Sequence, residues 1–305
     1  MKKVCSIIYN PNSSGVNGTN VIENMKKILE PKFEVKTFKS DKAGLGSEYV
    51  KEANKISDLI ISIGGDGTFN DIIRGIYSEE QRALLSHIPM GTVNDLGKTF
   101  NLSSNPIEAL KQILDGKETS VDVLTINDIP YAYVAAFGYL TCVSSETPEQ
   151  LKKTMRKSAY IVYGGKKALQ KPEVYNIKYE IDDKEYNVEC ILGAISSSKG
   201  FAGLELYNDF KLNDGKFEVM FVPNLSKLDI LKILKEIVIN KKTIPDIEKI
   251  IYHRTNNIKL NFDKIPTDDW TLDGEREILP KEVEIKVGRQ IKMLLPKETV
   301  DTLCK

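Results

Sequence analysis

The sequence predicts an α/β domain with a parallel sheet and crossover helices, followed by a mainly antiparallel β-sandwich domain. Strand-like and helix-like patterns alternate in the first part, and strands such as Leu59–Ile63 are apolar on both faces, as parallel strands covered by helices are. After about Asp122, strand-like segments follow one another with turn residues between them. The 305 residues, 41% of them hydrophobic, suffice for two cores.

In the first part, Val4–Tyr9, Phe33–Phe38 and Leu59–Ile63 have the composition of strands. Apolar residues at helical spacing predict the intervening helices: Val21, Met25, Ile28 and Leu29; Phe69, Ile72, Ile73 and Ile76; and Ile107, Leu110, Ile113 and Leu114. We expect the second of these helices to begin just after Gly67-Thr68, and the third to end at Gly116.

The second part contains seven strand-like segments and two helical stretches. The segments are 131–137, 175–181, 186–196, 216–221, 258–262, 270–272 and 282–287, and the helical stretches are 147–169 and 228–240. We therefore predict an α/β domain over residues 1–125 and a β-rich domain over 126–289. The C-terminal segment 290–305 is predicted to return to the first domain.

The overall composition excludes some classes of protein. Lys and Arg together number 43, and so do Asp and Glu, a balance that argues against a dedicated nucleic-acid-binding protein. The four cysteines lie far apart and form no CxxC pair, so they predict neither a zinc site nor a redox motif and are typical of a reduced cytosolic protein. No apolar run approaches the roughly 20 residues that span a bilayer, so any membrane contact is expected to be peripheral.

The motif Gly64-Gly65-Asp66-Gly67-Thr68 lies between an apolar strand and an amphipathic helix. Glycines let a backbone approach phosphate closely, and the N–H groups at a helix start favour an anion. Because Asp66 would repel phosphate, it more plausibly holds a metal ion, a water or a ribose hydroxyl. A tight turn in which Asp66 only caps the helix is the structural alternative.

A second polar loop, Gly91-Thr92-Val93-Asn94-Asp95, follows the short apolar segment Ile88-Pro89-Met90. Two such loops at the ends of neighbouring parallel strands would meet in the crevice where open α/β sheets bind ligands. Taken alone, this segment is equally consistent with an ordinary polar loop between a strand and a helix.

Together the two loops resemble those of the diacylglycerol kinase catalytic family, which includes sphingosine-kinase-like relatives. The resemblance extends to Asn10-Pro11 with Ser14-Gly15, to Asn213-Asp214-Gly215 and to Leu272-Asp273-Gly274-Glu275, over essentially the whole chain. It implies phosphorylation of a lipid hydroxyl with ATP and Mg²⁺, most simply diacylglycerol to phosphatidic acid. It also implies a cytoplasmic protein held peripherally at the inner membrane face, and it suggests a homodimer.

The resemblance also implies that residues 1–125 form the nucleotide-binding domain and that 126–289 form the lipid-substrate and catalytic-base domain, and it implies roles for individual residues. The ATP-site residues would be Asn10, Gly64, Gly65, Asp66, Gly67, Thr68, Gly91, Thr92 and Asn94. Asp66 and Asp95 would join a network of Mg²⁺ and water that Asp122 supports, and Glu275 would be the general base. Asp214 would hold a structural Mg²⁺ with backbone carbonyls near Lys211 and Lys216, ligands that suit this ion. By composition alone, the 213–215 and 273–274 segments are common turns, and Glu275 could be a solvated strand residue.

The sequence departs from the family pattern on the lipid-binding side. Serines occupy 196–198, where the family often has an asparagine, and Ala136-Phe137-Gly138-Tyr139 keeps only part of the usual pattern. A basic stretch with interleaved aromatic residues, 152–171, suits an anionic membrane surface or, alternatively, a solvated helix. His87 and His253 lack His or Cys neighbours and are expected to be core or surface residues.

Three hypotheses remain open from the sequence. The first is a Mg²⁺- and ATP-dependent lipid kinase. The second is a related kinase with a soluble acceptor such as NAD, because the glycine motif at 64–68 is shared with NAD kinases. The third is a non-catalytic nucleotide-binding module on the same scaffold, which the departures at 196–203 motivate.

Overall fold

A computed structural model describes residues 2–139, 141, 172–266 and 270–305. The chain forms two compact units. Unit 1 comprises Met1–Val123, Lys211–Asp214 and Arg289–Lys305, and unit 2 comprises Leu124–Phe210 and Gly215–Gly288. The predicted helix 147–169 and the basic stretch 152–171 lie outside the described residues.

Unit 1 is built on a parallel sheet. Its strands are β1 (Lys3–Tyr9), β2 (Phe33–Lys39), β3 (Leu59–Gly64) and β4 (Leu84–Pro89), in the order β4-β3-β1-β2. Helices α1 (Val21–Leu29), α2 (Leu45–Ile56) and α3 (Asp66–Tyr77) connect successive strands, and α4 (Asp95–Thr99) and α5 (Pro106–Leu114) follow β4. Since β1 leads to β2 on one side and β3 leads to β4 on the other, the carboxyl ends of β1 and β3 flank the switch point where such sheets bind ligands.

Both faces of the unit 1 sheet are covered. Ile61 and Ile63 of β3 share one core with Met25 of α1 and Leu110 of α5. The other face carries His87, whose ring packs 4.8 Å from that of Phe69 on α3. Burial on both faces is why these strands are almost continuously apolar in the sequence.

The C-terminal segment and residues 211–214 complete unit 1. The last part of β15 (Glu282–Leu295) adds in parallel beside β4, with Met293 opposite Leu85, and α7 (Lys297–Leu303) follows. The backbone N–H of Leu212 donates to the Leu303 carbonyl at 2.8 Å, and that of Asp122 donates to the Leu212 carbonyl at 2.8 Å. These bonds are why residues 211–214 belong to unit 1 and not to the continuous 126–289 stretch expected from the sequence.

Unit 2 is antiparallel throughout its described strands. They are the end of β5 (Lys117–Ile126), β6 (Ile129–Tyr131), β7 (Val134–Gly138), β8 (Tyr175–Ile181), β9 (Lys184–Ser196), β10 (Phe217–Pro223), β11 (Ile251–Thr255), β12 (Asn257–Phe262), β13 (Trp270–Leu272), β14 (Glu275–Glu277) and the start of β15. One α-helix, α6 (Lys227–Val238), and a short 3-10 helix, Ile244–Asp246, lie between β10 and β11. The core is aromatic, with the ring of Phe137 4.8 Å from those of both Phe262 and Trp270.

The predicted fold class, a parallel α/β part followed by a mainly antiparallel part, is confirmed, with local differences. The segment expected as one strand over 131–137 is two strands, β6 and β7, because the backbone between them bonds to a side chain of a distant turn. Helix α3 begins at Asp66, three residues before the expected start at Phe69. The sequence patterns did not indicate α2, α4, β5, β11, β14 or α7.

Candidate active site

Three loops of unit 1 meet at the carboxyl ends of the parallel strands. Asn10, directly after β1, donates its backbone N–H to the Ile63 carbonyl at 3.0 Å. Met90, directly after β4, donates to the Gly64 carbonyl at 2.6 Å and accepts from the Gly15 N–H at 3.0 Å. The structure thereby brings together the three segments that the sequence proposed for the nucleotide.

Glycines allow two of these loops to touch. A Cβ at Gly91 would lie 2.5 Å from the Cα of Gly65, and a Cβ at Gly65 would lie 3.3 Å from the Cα of Gly91. At Gly64 a Cβ would overlap the Thr68 side chain at 2.5 Å. Close packing between the loops therefore requires these glycines, independently of any phosphate that they approach.

Asn94 holds the second loop in shape. Its Oδ1 accepts from the Gly91 N–H at 2.7 Å and its Nδ2 donates to the Gly91 carbonyl at 3.0 Å, which closes residues 91–94 into a ring. The backbone of Asn94 is left-handed, with φ of 57°, a conformation that asparagine tolerates well. Thr92, within this ring, is partly exposed.

Asp66 and Asp95 come together through the start of α4. The Asp66 carboxylate accepts from the backbone N–H of Asp95 at 3.1 Å and from that of Leu96 at 3.2 Å, so Asp66 caps a helix that is distant in sequence. The Asp95 side chain is 3% exposed and pairs with Lys98 Nζ at 3.0 Å.

The electrostatics at Asp66 indicate a site that is rich in negative charge. Burial, and secondly the nearby Asp95 carboxylate, raise the pKa of Asp66 to about 6, although the two backbone N–H groups and Lys98 oppose the shift. A cation bound between these two carboxylates would be stabilised by both of them. Among the described residues, no group of three or more His, Cys, Asp or Glu side chains could hold a metal ion by itself.

A cavity of about 470 Å³ opens beside the second loop. Its walls include Gly91 and Asn94 from the predicted set, together with Gly15, Asn20, Asn24 and Asn105. Asn105 also caps α5, accepting from the N–H groups of Ile107 and Glu108. The volume lies within the roughly 300–1,000 Å³ of small-molecule sites, and amide side chains offer both donors and acceptors to a polar ligand.

The other residues predicted to bind a metal, Asp122, Asp214, Lys211 and Lys216, do not line this cavity. Asp122 is buried, and its carboxylate accepts from Gln290 Nε2 at 2.8 Å. The Asp214 side chain is 1% exposed, with Lys305 Nζ 3.8 Å away, while Lys211 donates to the Thr302 carbonyl at 2.7 Å. Lys216 belongs to unit 2, whereas Lys211 and Asp214 belong to unit 1.

Glu275, the proposed base, lies in unit 2. It is exposed and begins β14, paired with Leu272 across a turn formed by Asp273 and Gly274. Both turn residues have positive φ, 53° and 89°, as a two-residue hairpin turn requires.

Asp273 is the residue that sequence reasoning missed. Its buried carboxylate accepts from the backbone N–H groups of Ala132, Tyr133 and Val134, the latter two at 2.8 and 2.9 Å. These bonds anchor the turn that carries Glu275 to the junction of β6 and β7. The sequence marked position 273 only as a turn residue, because its partners lie about 140 positions earlier in the chain.

The serine segment on the predicted lipid side is folded inward. Ser196, Ser197 and Ser198 are all buried, and Ser198 Oγ donates to the Gly200 carbonyl at 2.7 Å. These serines therefore belong to the interior of unit 2.

The histidines have structural surroundings. Burial lowers the pKa of His87 to about 3, so this ring is neutral in the core of unit 1. His253 lies beside Tyr179, with the phenol oxygen 3.0 Å from Nε2. Among the described residues, no group of three or more His, Cys, Asp or Glu that could hold a metal ion includes either histidine, and Cys5, Cys190 and Cys304 are free thiols. In the part of the chain that the structure describes, no helix is long and apolar enough to cross a bilayer.

Comparison with known proteins agrees with this architecture. The family model of the diacylglycerol kinase catalytic domain matches residues 5–126. A diacylglycerol kinase of Staphylococcus epidermidis is 33% identical over 302 residues, covering 93% of this chain and 94% of the relative. One from Staphylococcus saprophyticus is 35% identical over 233 residues, 75% of this chain and 76% of the relative.

Solved structures share the fold. The crystal structure of a diacylglycerol kinase from Bacillus anthracis superposes with a TM-score of 0.74 at 22% identity, covering 98% of both chains. Another crystal structure from the same strain superposes with a TM-score of 0.82, also at 22% identity, over 98% of this chain and 97% of the other.

The fold and the paired loops define the class of protein, a lipid kinase. More particularly, the chain belongs to the diacylglycerol kinase catalytic family. The resemblance inferred from the sequence is thereby confirmed, and the hypothesis of a non-catalytic module is set aside.

Proposed function

We propose that this lipid kinase transfers the γ-phosphoryl group of ATP to the hydroxyl of diacylglycerol with the help of Mg²⁺, at the inner face of the cytoplasmic membrane. The observation that carries the proposal is the convergence of Asp66 and Asp95, from two glycine-bearing loops, beside a cavity of about 470 Å³. Phosphoryl transfer depends mainly on positioning and on neutralising charge; these loops would position the nucleotide, and their two carboxylates would hold the cation that neutralises its charge.

The residues present fit a magnesium nucleotide. Mg²⁺ is commonly held by one or two carboxylates together with substrate phosphates, so the pair Asp66 and Asp95 is sufficient without a third acidic residue. When bound, the ion would neutralise charge on the phosphates. We expect backbone N–H groups at the start of the helices that follow these loops to favour phosphate oxygens. Asn94 holds the second loop in shape through its two hydrogen bonds to Gly91.

The acceptor side uses unit 2. Glu275 would accept the proton of the lipid hydroxyl as that oxygen attacks phosphorus, which is general base catalysis by an exposed carboxylate. Asp273 holds the turn on which Glu275 lies and is a positioning residue. Asp214 would retain a structural role, either with Mg²⁺ as the resemblance implies or with the Lys305 ammonium group nearby.

The decisive experiment follows transfer of labelled phosphate from ATP to diacylglycerol dispersed in detergent. We expect Glu275→Gln to lower kcat at least about 100-fold, the lower end of the contribution of general acid–base catalysis, while ATP binding is kept. Glu277→Gln, two residues further along the same strand, is the matched control and is expected to retain turnover. Full activity of Glu275→Gln would remove Glu275 from the mechanism.

The acceptor is tested separately. Incubation of the protein with labelled ATP, Mg²⁺ and a total lipid extract is expected to label phosphatidic acid. Labelling of NAD without lipid would favour the soluble-acceptor kinase. Omission of Mg²⁺ is expected to abolish transfer, because the Asp66 and Asp95 pair then faces the phosphates without a neutralising cation.

A further inference from the structure

Helix α6 of unit 2 presents an unusual outer face. Leu228, Leu231, Leu234 and Val238 recur at steps of three or four residues and therefore lie along one side of the helix. They are 71%, 62%, 45% and 48% exposed, and Ile239, just past the helix, is 68% exposed. We name these five residues the α6 stripe.

The stripe is not needed for the core. The opposite side of α6 already buries Ile233 and Ile237, which are 8% exposed each. A surface helix normally turns a polar side to solvent, whereas α6 is apolar on both sides. Contiguous exposed apolar surface of this kind marks a contact with another molecule or a membrane.

The charges around the α6 stripe indicate which kind of partner it contacts. Lys227, Lys232 and Lys235 are all exposed, and each lies one helical turn from Leu228 or Leu231. The acidic residues of the helix are already paired: Asp229 with Lys249 at 2.7 Å, and Glu236 with Lys242 at 2.7 Å. Among the described residues, no ion pair joins the three lysines to an acidic side chain, so the outer face is apolar and positively charged.

We infer that α6 is a membrane-docking helix that lies in the interface of an anionic bilayer, with the α6 stripe among the acyl chains and the three lysines at lipid phosphates. Helices that lie in a membrane surface typically combine leucines on one side with lysines whose charged ends reach the lipid headgroups. Each lysine near an anionic leaflet adds attraction that salt weakens. The inference deepens the proposed function and rests on it, since an enzyme whose acceptor is a membrane lipid must meet the bilayer.

The first test is sedimentation of the full chain with vesicles of phosphatidylcholine, with and without phosphatidylglycerol. We expect binding to the phosphatidylglycerol vesicles that high salt weakens. The double variant Leu231→Gln with Leu234→Gln is expected to lower the partition coefficient at least about tenfold, since two leucines no longer enter the acyl region. The double variant Lys227→Glu with Lys235→Glu is expected to lose at least about tenfold on anionic vesicles only.

Matched controls separate docking from general surface effects. Ile56→Gln, on α2 of unit 1, changes an apolar residue that is 39% exposed, close to the 45% of Leu234, and is expected to bind vesicles like the wild type. All variants alter exposed side chains, so their thermal unfolding is expected to match the wild type. Vesicle binding by the leucine variant equal to that of the wild type would overturn the inference.

Two further readouts separate membrane docking from self-association and from catalysis. If the leucine variant changes a dimer into a monomer by light scattering while vesicle binding is unchanged, the stripe is an interface between copies of the chain and the inference is wrong. Phosphorylation of a short-chain diacylglycerol dissolved as monomers is expected to be unaffected in both double variants. If the wild type phosphorylates no lipid in any form, the proposed function fails, whereas stripe-dependent vesicle binding would still support the docking helix.

Discussion

Asp273 offers the sharpest test of how the structure holds its proposed base. Its carboxylate accepts three backbone N–H groups, those of Ala132, Tyr133 and Val134, and the side chain is 4% exposed. Asp273→Ala leaves these donors without an acceptor. Hydrogen bonds to charged groups contribute about 1.5–3 kcal/mol each and are not additive, so we expect a loss of about 3–5 kcal/mol in the free energy of unfolding of unit 2.

Asp273→Asn removes the negative charge of the side chain but keeps its shape. Asparagine tolerates the left-handed backbone at this position, where φ is 53°, and its oxygen can still accept two of the bonds. Its amide nitrogen then faces a third N–H group, so we expect a smaller loss of about 1–3 kcal/mol. Because the turn carries Glu275, kcat is expected to fall in the asparagine variant while affinity for ATP is unchanged.

The assay is urea unfolding followed by tryptophan fluorescence. The chain has a single tryptophan, Trp270, which is buried three residues before Asp273 and therefore reports on unit 2. The expected order of stability is wild type, then Asp273→Asn, then Asp273→Ala. An alanine variant within about 1 kcal/mol of the wild type, or equal stability of the two variants, would refute the argument from hydrogen bonds.

Three further predictions concern unit 1. Gly91→Ala places a methyl group 2.5 Å from the Cα of Gly65, so we expect a loss of about 1–3 kcal/mol in stability and weaker ATP binding by calorimetry. Gly18→Ala, where a Cβ meets nothing within 4 Å, serves as the control: it should cost only backbone strain at φ of 70°. Asn94→Ala removes both bonds that close the 91–94 ring and is expected to cost about 1–2 kcal/mol and to raise KM for ATP; an unchanged KM would contradict it. The raised pKa of Asp66 means that the folded state binds the carboxyl proton more tightly than the unfolded state does. Without metal, the free energy of unfolding is therefore expected to fall by up to about 3 kcal/mol as pH rises from 4 to 6. Asp66→Asn should flatten this pH dependence in urea titrations.

Local patterns in the sequence were sufficient for the elements with strong periodicity. The strand β3 and the helices α1, α3 and α5 follow from continuous or helically spaced apolar residues, since their burial is encoded in each segment alone. The sequence patterns did not predict helix α2, because much of its buried side consists of small or polar residues, Gly46, Ala53 and Asn54. These residues give a weak apolar pattern.

For the candidate site, the sequence by itself determined the chemistry that is present: two glycine-bearing loops, the acidic residues Asp66 and Asp95, and a late glutamate. Only the tertiary structure decided how they are held. The five-residue helix α4 begins where Asp66, 29 and 30 positions earlier, accepts its first N–H groups, and the Gly65 and Gly91 backbones touch because β3 and β4 are neighbours. Asp273 likewise has its partners about 140 positions away. The physical reason is the same in each case: a hydrogen bond or a close contact depends on distance in space, whereas sequence patterns report only what lies within a few residues along the chain.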